Sequence, residues 1–446
     1  MTCTDVKRRN VKVKMPAKPR NSRIAIGVLV AVLLVCVAIG VALHLRNVEI
    51  EQQTQVELRD DFVAELERNE GTYDAQSIVL YKTSRAKAEE LAEKLGASLR
   101  MTKDGSFATL TLPEGTTILD VCRDEENLAY IEQLSADYQV SISELTQGEE
   151  DEESDDERLP MRPTYKLVYD TDYDKQTYLD YMNMQNVWAG YTGWGVTVAV
   201  IDTGIDTDHP EFAGRISEYS YNATEDKIVK DYVLENGEYD WSLVEDEQGH
   251  GTAVTGVLAA SMNSGNVVGI APEVTIITIK AECDENGIFK RSSDLLFGLY
   301  YAIERDVAVV NMSFGAGEGD WNSALQLAYD SDVICVAAAG NDSTAELASL
   351  GASPLVIGVG ALADESWELA EYSNYGENVN VVAPGTTYTS LMGGGYGYMD
   401  GTSLACPAVA GLIALYMQHH LYVTFDQLTE ELYASCYDLG DLGCDW

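Results

Sequence analysis

The sequence predicts an α/β fold over residues 164–446, with an open, mostly parallel sheet and helices on both faces. One observation is a series of near-continuous Val, Ile and Ala runs, at 196–202, 274–282, 307–315, 333–341 and 355–362. Such runs are typical of parallel strands that are buried on both faces. The other observation is helical spacing between the runs, at 251–261, 291–305, 321–330 and 403–418. Strands that alternate with helices form right-handed crossovers, and the functional site then lies at the carboxyl ends of the strands.

A second, smaller unit is predicted over residues 77–145. The segments SIVLYK, ASLRM, FATLTL and YQVSIS have strand character. A helix is expected between Ser84, a capping residue, and Gly96, a stop signal, and a second helix within 118–134. The resulting β-α-β-β-α-β order indicates a small ferredoxin-like α+β module, an arrangement that many unrelated proteins share.

The N-terminal segment is predicted to anchor the chain in a membrane through a transmembrane helix at 24–45. This helix begins with Ile24–Leu43, an uncharged apolar run of 20 residues, which at about 1.5 Å per residue spans a hydrocarbon layer of about 30 Å. Residues 1–23 carry eight Lys and Arg, and positive charge stays cytoplasmic. We therefore expect a single-pass protein of the cell membrane, with a basic cytoplasmic tail, a stalk at 46–76 and an extracytoplasmic body. A cleaved signal peptide is the alternative, since GVA at 40–42 is an acceptable cleavage site.

The charge balance excludes one class of partner. The chain has 73 acidic and 29 basic residues, a net charge of −44. Nucleic-acid binding needs clustered Lys and Arg on one face, so it is not expected. Residues 149–157 hold eight acids in nine positions. Because such a block cannot bury itself, 146–163 is predicted to be a solvated linker between the two units.

Four polar residues lie at strand ends or helix starts. Asp202 ends one apolar run, Asn341 ends another, His250 lies between two glycines at the start of a helix, and Ser403 precedes a strongly apolar helix. Peptide hydrolysis by a serine needs a nucleophilic hydroxyl, a base, a carboxylate that orients the base, and donors for the oxyanion. Each residue alone is also consistent with an ordinary turn, cap or strand end. Together they supply all four requirements on one domain.

The segments VAVIDTGID, HGTAVTG, VAAAGN and GTSLACP, which contain these residues, resemble the signature motifs of the subtilisin family over roughly residues 165–446. The resemblance implies a subtilisin-like fold with Asp202, His250 and Ser403 as a catalytic triad. It implies that Asn341 and the Ser403 N–H form the oxyanion hole. We therefore expect a serine endopeptidase that cleaves polypeptide substrates through an acyl-enzyme. The alternative is a membrane-tethered, catalytically inactive peptide-binding protein.

The same resemblance implies the residues that hold the substrate. One set is similar to the family's edge strand that pairs with the substrate backbone, and the other is similar to the opposite wall of the S1 pocket. The two sets are Ser313, Phe314 and Gly315, and Ala338 and Gly340, respectively. Cys406 stands where the family often has Ser or Thr, and a thiol so close to the nucleophile predicts sensitivity to mercurials.

The family resemblance also suggests a role for the smaller unit. Residues 77–145 are similar to the family's propeptide, an intramolecular inhibitor and folding chaperone. By analogy the protein is a self-processed zymogen, cut between about Ser143 and Thr164. The cut would release the peptidase domain from the membrane unless the propeptide holds it.

A structural Ca²⁺ site is a further implication of the resemblance. The stretch from His250 to Pro272 matches in length the part of the family that contains its calcium-binding loop. Glu211 and Asn263 are the candidate ligands, since carboxylate and amide oxygens suit Ca²⁺. A plain Asn/Gly loop is the alternative.

Overall fold

The computed structural model describes residues 54–142 and 168–437, apart from residues 82, 264, 316–320, 346–349, 364–366 and 378. The predicted transmembrane helix at 24–45 and the predicted acidic linker at 146–163 therefore lie outside the described residues. Among the residues that are described, no helix combines the length and apolar character needed to cross a membrane.

The larger unit is built on an eight-stranded sheet. Its strands are β6 (Thr197–Asp202), β7 (Tyr221–Asn222), β8 (Lys227–Ile228), β9 (Thr275–Lys280), β11 (Val309–Met312), β12 (Ile334–Ala338), β13 (Ile357–Leu362) and β14 (Val381–Pro384). The spatial order is β14-β13-β12-β11-β6-β9-β7-β8. All neighbours are parallel except β7 and β8, so the predicted open, mostly parallel sheet is confirmed.

Helices cover both faces of this sheet. The principal ones are α6 (His250–Ala259), α7 (Ser292–Glu304), α8 (Asn322–Asp330) and α9 (Thr402–Met417), followed by α10 (Phe425–Ser435). Helices α6 and α9 pack in the apolar cluster on one face, and α7 and α8 pack in the cluster on the other. Two short helices, α4 (Thr177–Tyr181) and α5 (Met184–Val187), precede β6. A hairpin of β15 (Thr386–Leu391) and β16 (Gly395–Asp400) lies beside α6.

The chain crosses from one side of β6 to the other between β9 and β11. Strands β7 and β9 lie on one side of β6, whereas β11 and the strands that follow lie on the other. In open α/β sheets, ligands bind outside the carboxyl ends of the strands where the strand order reverses. The carboxyl ends of β6 and β11 are at this position, with Asp202 and Ser313 respectively.

The smaller unit is a four-stranded antiparallel sheet with its own apolar core. Its elements are β1 (Tyr73–Leu80), α2 (Arg85–Leu95), β2 (Ser98–Met101), β3 (Ala108–Thr111), α3 (Ile118–Arg123) and β4 (Leu134–Tyr138), in the spatial order β2-β3-β1-β4. Helix α2 ends at Gly96 in the left-handed conformation, as its sequence position indicates. The last predicted strand, YQVSIS, overlaps β4 only at Tyr138 and contains the short β5 (Val140–Ser141).

The N-terminal side of the smaller unit extends further than its sequence pattern predicted. Residues 54–68 are helical, and we call this segment α1. Its Phe62, Val63 and Leu66 pack on the core of the smaller unit, and Leu66 is fully buried. Part of the predicted stalk at 46–76 thus belongs to the packed unit, because these three residues share one face at helical spacing.

The two units contact one another through two elements of the smaller one. Strand β5 pairs antiparallel with β10 (Ile288–Phe289) of the larger unit. Asp137, on β4, is fully buried against the N-terminus of α7. It accepts hydrogen bonds from the backbone N–H of Ser293 at 3.0 Å and from the hydroxyls of Ser293 at 2.5 Å and Ser77 at 2.7 Å. A carboxylate in this place satisfies helix donors that have no partner within the helix.

Candidate active site

Asp202 and His250 form a buried hydrogen bond. Asp202 is the last residue of β6 and His250 the first of α6. The ring Nδ1 of His250 lies 2.8 Å from Oδ1 of Asp202, and the two residues are 3% and 0% exposed. In the tautomer whose Nδ1–H donates a hydrogen bond to the carboxylate, Nε2 keeps a lone pair and can accept a proton. Nε2 is buried and has no hydrogen-bond partner among the described residues.

The close approach of two backbones makes this contact possible. A Cβ atom at Gly251 would lie 2.2 Å from the carbonyl oxygen of Gly204 and 3.2 Å from Cβ of Asp202. Only glycine fits between the start of α6 and the turn after β6. Gly204, in Asp-Thr-Gly, has a similar steric role, because a Cβ atom there would lie 2.7 Å from the carbonyl oxygen of Val244.

Ser403 lies in the first turn of α9, which packs against α6. It is fully buried, and its hydroxyl donates to the carbonyl oxygen of Ser313 at 3.1 Å. The Ser313 hydroxyl donates in return to the carbonyl of Ser403 at 2.9 Å. In serine peptidases the hydrogen bond between the nucleophile and its base is often long or poorly aligned until substrate binds, so the contact with Ser313 is compatible with Ser403 as the nucleophile.

Asn341 follows β12 and faces the start of α9. Its Oδ1 accepts hydrogen bonds from the N–H of Thr402 at 3.0 Å and from the Thr402 hydroxyl at 2.8 Å. With the oxygen end held in this way, the NH₂ end of the amide is directed away from Thr402. The Thr402 hydroxyl also accepts from the N–H of Gly340 at 3.1 Å. Gly340 has a φ of +102°, which a side chain would strain. Ala338 ends β12 and is 1% exposed.

The edge formed by Phe314 and Gly315 already carries a strand, the end of the smaller unit. The N–H of Gly315 donates to the carbonyl of Ser141 at 3.1 Å, and Ile142 forms an antiparallel bridge with Phe314. On the other side, the N–H of Ile142 donates to the carbonyl of Gly287 at 2.9 Å. The smaller unit therefore occupies the groove between two edges of the larger unit as a third strand.

Alternate side chains of this strand are buried. Val140 is 1% exposed and Ile142 6%, whereas Ser141 between them faces solvent. Both aliphatic side chains belong to the apolar cluster that contains Phe289 and Phe314. The groove thus accepts an extended chain with apolar residues at every second position.

The two candidate metal ligands have different hydrogen-bond partners. Oε1 of Glu211, which is fully buried, accepts from the N–H groups of Asn266 at 2.7 Å and Val267 at 3.2 Å. Its Oε2 has no partner among the described residues. Oδ1 of Asn263 accepts from the N–H of Tyr169 at 2.6 Å. Within the described part of the chain, no three His, Cys, Asp or Glu side chains are grouped as metal ligands.

Cys406 faces away from the groove. It is fully buried, and its thiol donates to Oδ1 of Asn311 at 3.2 Å. Burial raises the pKa of this thiol to about 12. Asn311 in turn donates to the Ser313 hydroxyl at 3.0 Å. The thiol supports the packing behind the nucleophile and is poorly placed to react.

Two parts of the site were not identified from the sequence. One is the groove wall at Gly287–Phe289. It begins within the dipeptide Asn286-Gly287, a hairpin signal that could have located it. Asp246 is 3% exposed and hydrogen-bonds both Thr203 and Thr252, close to Asp202 and His250. No local pattern marked it, because the N-cap of α6 is Gly249 and Asp246 lies three residues before that position.

Comparison with known proteins agrees with this geometry. The profile of the subtilase family matches residues 193–445, more than half of the chain. The intracellular serine protease of Paenibacillus polymyxa is 38% identical over 261 residues, which cover 56% of this chain and 74% of that protein. The major intracellular serine protease of Bacillus subtilis (strain 168) is 35% identical over 238 residues, 51% of this chain and 70% of that protein.

A solved structure resembles the fold over a larger share of the chain. The crystal structure of fervidolysin from Fervidobacterium pennivorans, a keratinolytic enzyme related to subtilisin, aligns with a TM-score of 0.68 at 21% identity. The alignment covers 84% of this chain and 59% of that chain. At this identity the likeness supports the fold alone. From the matched family profile and the two related proteases, the chain belongs to the subtilase family.

Proposed function

We propose that this chain is a serine endopeptidase in which Ser403 attacks the peptide carbonyl and His250 takes its proton. Asp202 orients the imidazole and stabilises its protonated form. The Asn341 amide and the Ser403 N–H bind the oxyanion of the tetrahedral intermediate, and an acyl-enzyme on Ser403 is then hydrolysed. The observation that carries this proposal is the buried contact of 2.8 Å between Asp202 Oδ1 and His250 Nδ1. Family membership supports the same activity.

A fluorophosphonate probe tests this proposal against the alternative of an inactive peptide-binding protein. We expect covalent labelling of Ser403 and loss of labelling in Ser403→Ala. Ser313→Ala is the matched control, because Ser313 is a second buried serine beside the nucleophile. Failure of the correctly folded wild-type protein to react would favour the inactive binding protein.

We further propose that residues 77–145, with α1, act as a propeptide that inhibits the enzyme. Its support is the position of β5, paired with β10 and hydrogen-bonded to Gly315. The antiparallel register runs from Ile142 opposite Phe314 toward Ser313, whose carbonyl holds the Ser403 hydroxyl. The scissile bond is therefore expected within the first few residues after Ile142, at the N-terminal end of the 143–164 interval.

Self-processing is tested by blotting the N- and C-terminal fragments and sequencing the new N-terminus. Wild type should give two fragments and Ser403→Ala a single uncut chain. The same fragments from both proteins would assign the cut to another protease. A new N-terminus nearer to Thr164 would contradict the register argument but not self-processing.

Residues 24–45 are proposed to anchor the chain in the cell membrane, with residues 1–23 cytoplasmic. The support is the apolar run and the flanking positive charge. Fractionation of Ser403→Ala cells should place the full chain in the membrane pellet, and carbonate washing should not release it. In wild type, the peptidase domain should become soluble after the cut unless the propeptide retains it. Recovery of the Ser403→Ala chain in the soluble fraction would contradict the proposed membrane anchor.

A structural Ca²⁺ ion is proposed at the loop around Gly265, with Glu211 as a ligand and Asn263 beside it. The donor set fits in part, since Oε2 of Glu211 is buried without a partner among the described residues, and Asp170 brings a second buried carboxylate to the same loop. A cation would offset these charges. A chelator should lower the Tm of Ser403→Ala and added Ca²⁺ should restore it, whereas Glu211→Gln should make the Tm insensitive to Ca²⁺. Equal Ca²⁺ responses of the two proteins would exclude this site.

A further inference from the structure

Asp246 is a buried carboxylate with five hydrogen-bond donors. Its Oδ1 accepts from the Thr203 hydroxyl at 2.9 Å and from the N–H groups of Gln248 at 3.0 Å and Gly249 at 2.8 Å. Its Oδ2 accepts from the N–H of Thr252 at 2.9 Å and the Thr252 hydroxyl at 2.6 Å. A buried carboxylate that accepts this number of hydrogen bonds holds the geometry of its donors.

These donors belong to two segments that carry different catalytic residues. Thr203 follows Asp202 directly, and its N–H donates to Asp202 Oδ1 at 2.8 Å. Gln248, Gly249 and Thr252 surround His250. The Thr203 hydroxyl also accepts from the N–H of Gly251 at 2.9 Å, so the two segments are joined both directly and through Asp246.

Charge is a second contribution of Asp246. His250 is the first residue of α6, and a helix N-terminus disfavours a positive charge beside it. The reaction requires a protonated imidazole as an intermediate. The Asp246 carboxylate accepts the N–H of Thr252 in the first turn and so offsets the helix field at the imidazole.

Other ionisable groups also surround this position. Asp202 is the direct partner of the imidazole, and Lys280 donates to the carbonyl of Glu245 at 2.7 Å. The Cys283 thiol is affected by both carboxylates. Its burial, followed by the charges of Asp202 and Asp246, raises its pKa to about 12. Glu247 is largely exposed. Of these groups, Asp202 and Asp246 bond to both segments in the described structure, and Asp202 does so as a member of the catalytic pair itself.

We propose that Asp246 is a positioning residue of the peptidase, which fixes the start of α6 against the turn after β6 and thereby sets the His250 imidazole on Asp202. The inference rests on the proposed function of Asp202, His250 and Ser403. It assigns no contact between Asp246 and the substrate. Its action is through His250.

Asp246→Asn in the full chain is the test, because it keeps the shape and removes the charge and one acceptor. Misplacement of about 1 Å can cost about 100-fold in rate, so we expect kcat for a peptide substrate to fall about 10- to 100-fold with KM unchanged. The acid limb of the pH profile of kcat/KM should move to lower pH, because the protonated imidazole loses a stabilising charge. The first-order rate of self-cleavage should fall by a similar factor, which gives a readout even where processing is slow.

Asp206→Asn is the matched control. Asp206 is also a buried carboxylate, 5% exposed, and its Oδ2 accepts from the N–H groups of Gly393 and Gly394 in the β15–β16 turn. The Asp206→Asn substitution should lower the Tm but leave kcat and the pH profile unchanged. The inference would be overturned if Asp246→Asn had the kcat and the pH profile of the wild type, or if both variants lost kcat equally. Activity retained in Ser403→Ala would instead overturn the proposed function itself.

Discussion

The hydroxyl of Ser403 is held by a backbone carbonyl and not by its base. It donates to Ser313, while Nε2 of His250 is buried with no partner among the described residues. A buried imidazole nitrogen without a partner is costly, so a hydrogen bond donated to Nε2 would be favourable. Substrate bound along Phe314 and Gly315 would complete the arrangement by bringing the peptide carbonyl to the serine.

Asn341→Ala should separate transition-state stabilisation from substrate binding. Loss of one oxyanion donor typically lowers kcat by about 10²- to 10³-fold, and KM should change little because the oxyanion forms only in the transition state. Steady-state kinetics on a peptide substrate measure both constants.

The control is Asn374→Ala, which removes another buried amide, one that lies between β13 and β14 and hydrogen-bonds the loop after β12. Asn374 donates to the carbonyl of Ala339 at 2.9 Å and accepts from the N–H of Asp342 at 2.9 Å. We expect a lower Tm and a smaller effect on kcat. A kcat within threefold of wild type in Asn341→Ala would remove this residue from the proposed oxyanion hole.

Cys406 should resist thiol reagents in the native protein, in contrast to the expectation from its sequence position. Thiolate is the reactive form, and burial holds the pKa of Cys406 at about 12. Alkylation at pH 8 followed by mass spectrometry should modify Cys406 only after unfolding. The exposed Cys436 provides the internal control, since it should react in the native state. Rapid native alkylation of Cys406 accompanied by inactivation would reverse this conclusion.

At the scale of elements, the contact between β4 and α7 joins the two units. Asp137 satisfies donors at the start of α7 that have no partner within the helix. Strand β5 then continues into the groove. The same short stretch, 134–142, therefore binds one helix end and two strand edges of the larger unit.

Asp137→Ala should weaken this contact. Unsatisfied buried donors cost about 1–3 kcal/mol, so the Tm of the uncut Ser403→Ala chain should fall, and in a cleavable background peptidase activity should appear sooner after the cut. Ser135→Ala is the control on the same strand, because its hydroxyl bonds the carbonyl of Ala136 within that strand. Equal effects of the two substitutions would show that Asp137 does not hold the units together.

At the scale of the whole molecule, the interface brings a second buried acid, Asp294, next to two arginines. Its Oδ1 lies 3.3 Å from Arg100 of the smaller unit, and its Oδ2 lies 3.0 Å from Arg291. Burial raises the pKa of Asp294 to about 6, although both guanidiniums act to lower it. The interface thus contains a group that prefers its neutral form up to mildly acidic pH.

Stability of the uncut chain should therefore depend on pH through Asp294. Between its ordinary value of 3.8 and about 6, the folded protein keeps a proton that the unfolded chain has lost. The stabilisation is present at pH 4 and is lost as the pH rises through 6, a change of about 3 kcal/mol. Relative to the Ser403→Ala parent, Asp294→Asn should gain in free energy of unfolding as the pH rises from 4 to 7.

The control for this effect is Asp226→Asn. Asp226 also contacts Arg100, at 3.5 Å, but its side chain is 63% exposed. Because exposed ion pairs contribute little to stability, its substitution should change the free energy of unfolding much less than Asp294→Asn does. Parallel pH curves for Asp294→Asn and the parent would contradict the raised pKa.

Long apolar runs made the central sheet predictable, and polar residues at strand ends and helix starts indicated Asp202, His250, Asn341 and Ser403 as candidates. Each of these features is contained in a few consecutive residues. The hairpin at 386–400 and the pair at 221–228 were missed, because their Gly- and Tyr-rich or very short strands lack a clear period. The Asp137–Ser293 bond joins residues 156 positions apart, and no local pattern encodes such a contact. The sharing of Asp246 between two segments was hidden for the same reason.

The groove between Gly315 and Gly287 recognises main chain from both sides. A protein segment can enter it only after giving up its own strand or helix partners, since its N–H and C=O groups are needed by the enzyme. Cleavage should consequently be limited by how often a target opens locally, so that loosely structured polypeptides are degraded and compact native domains survive.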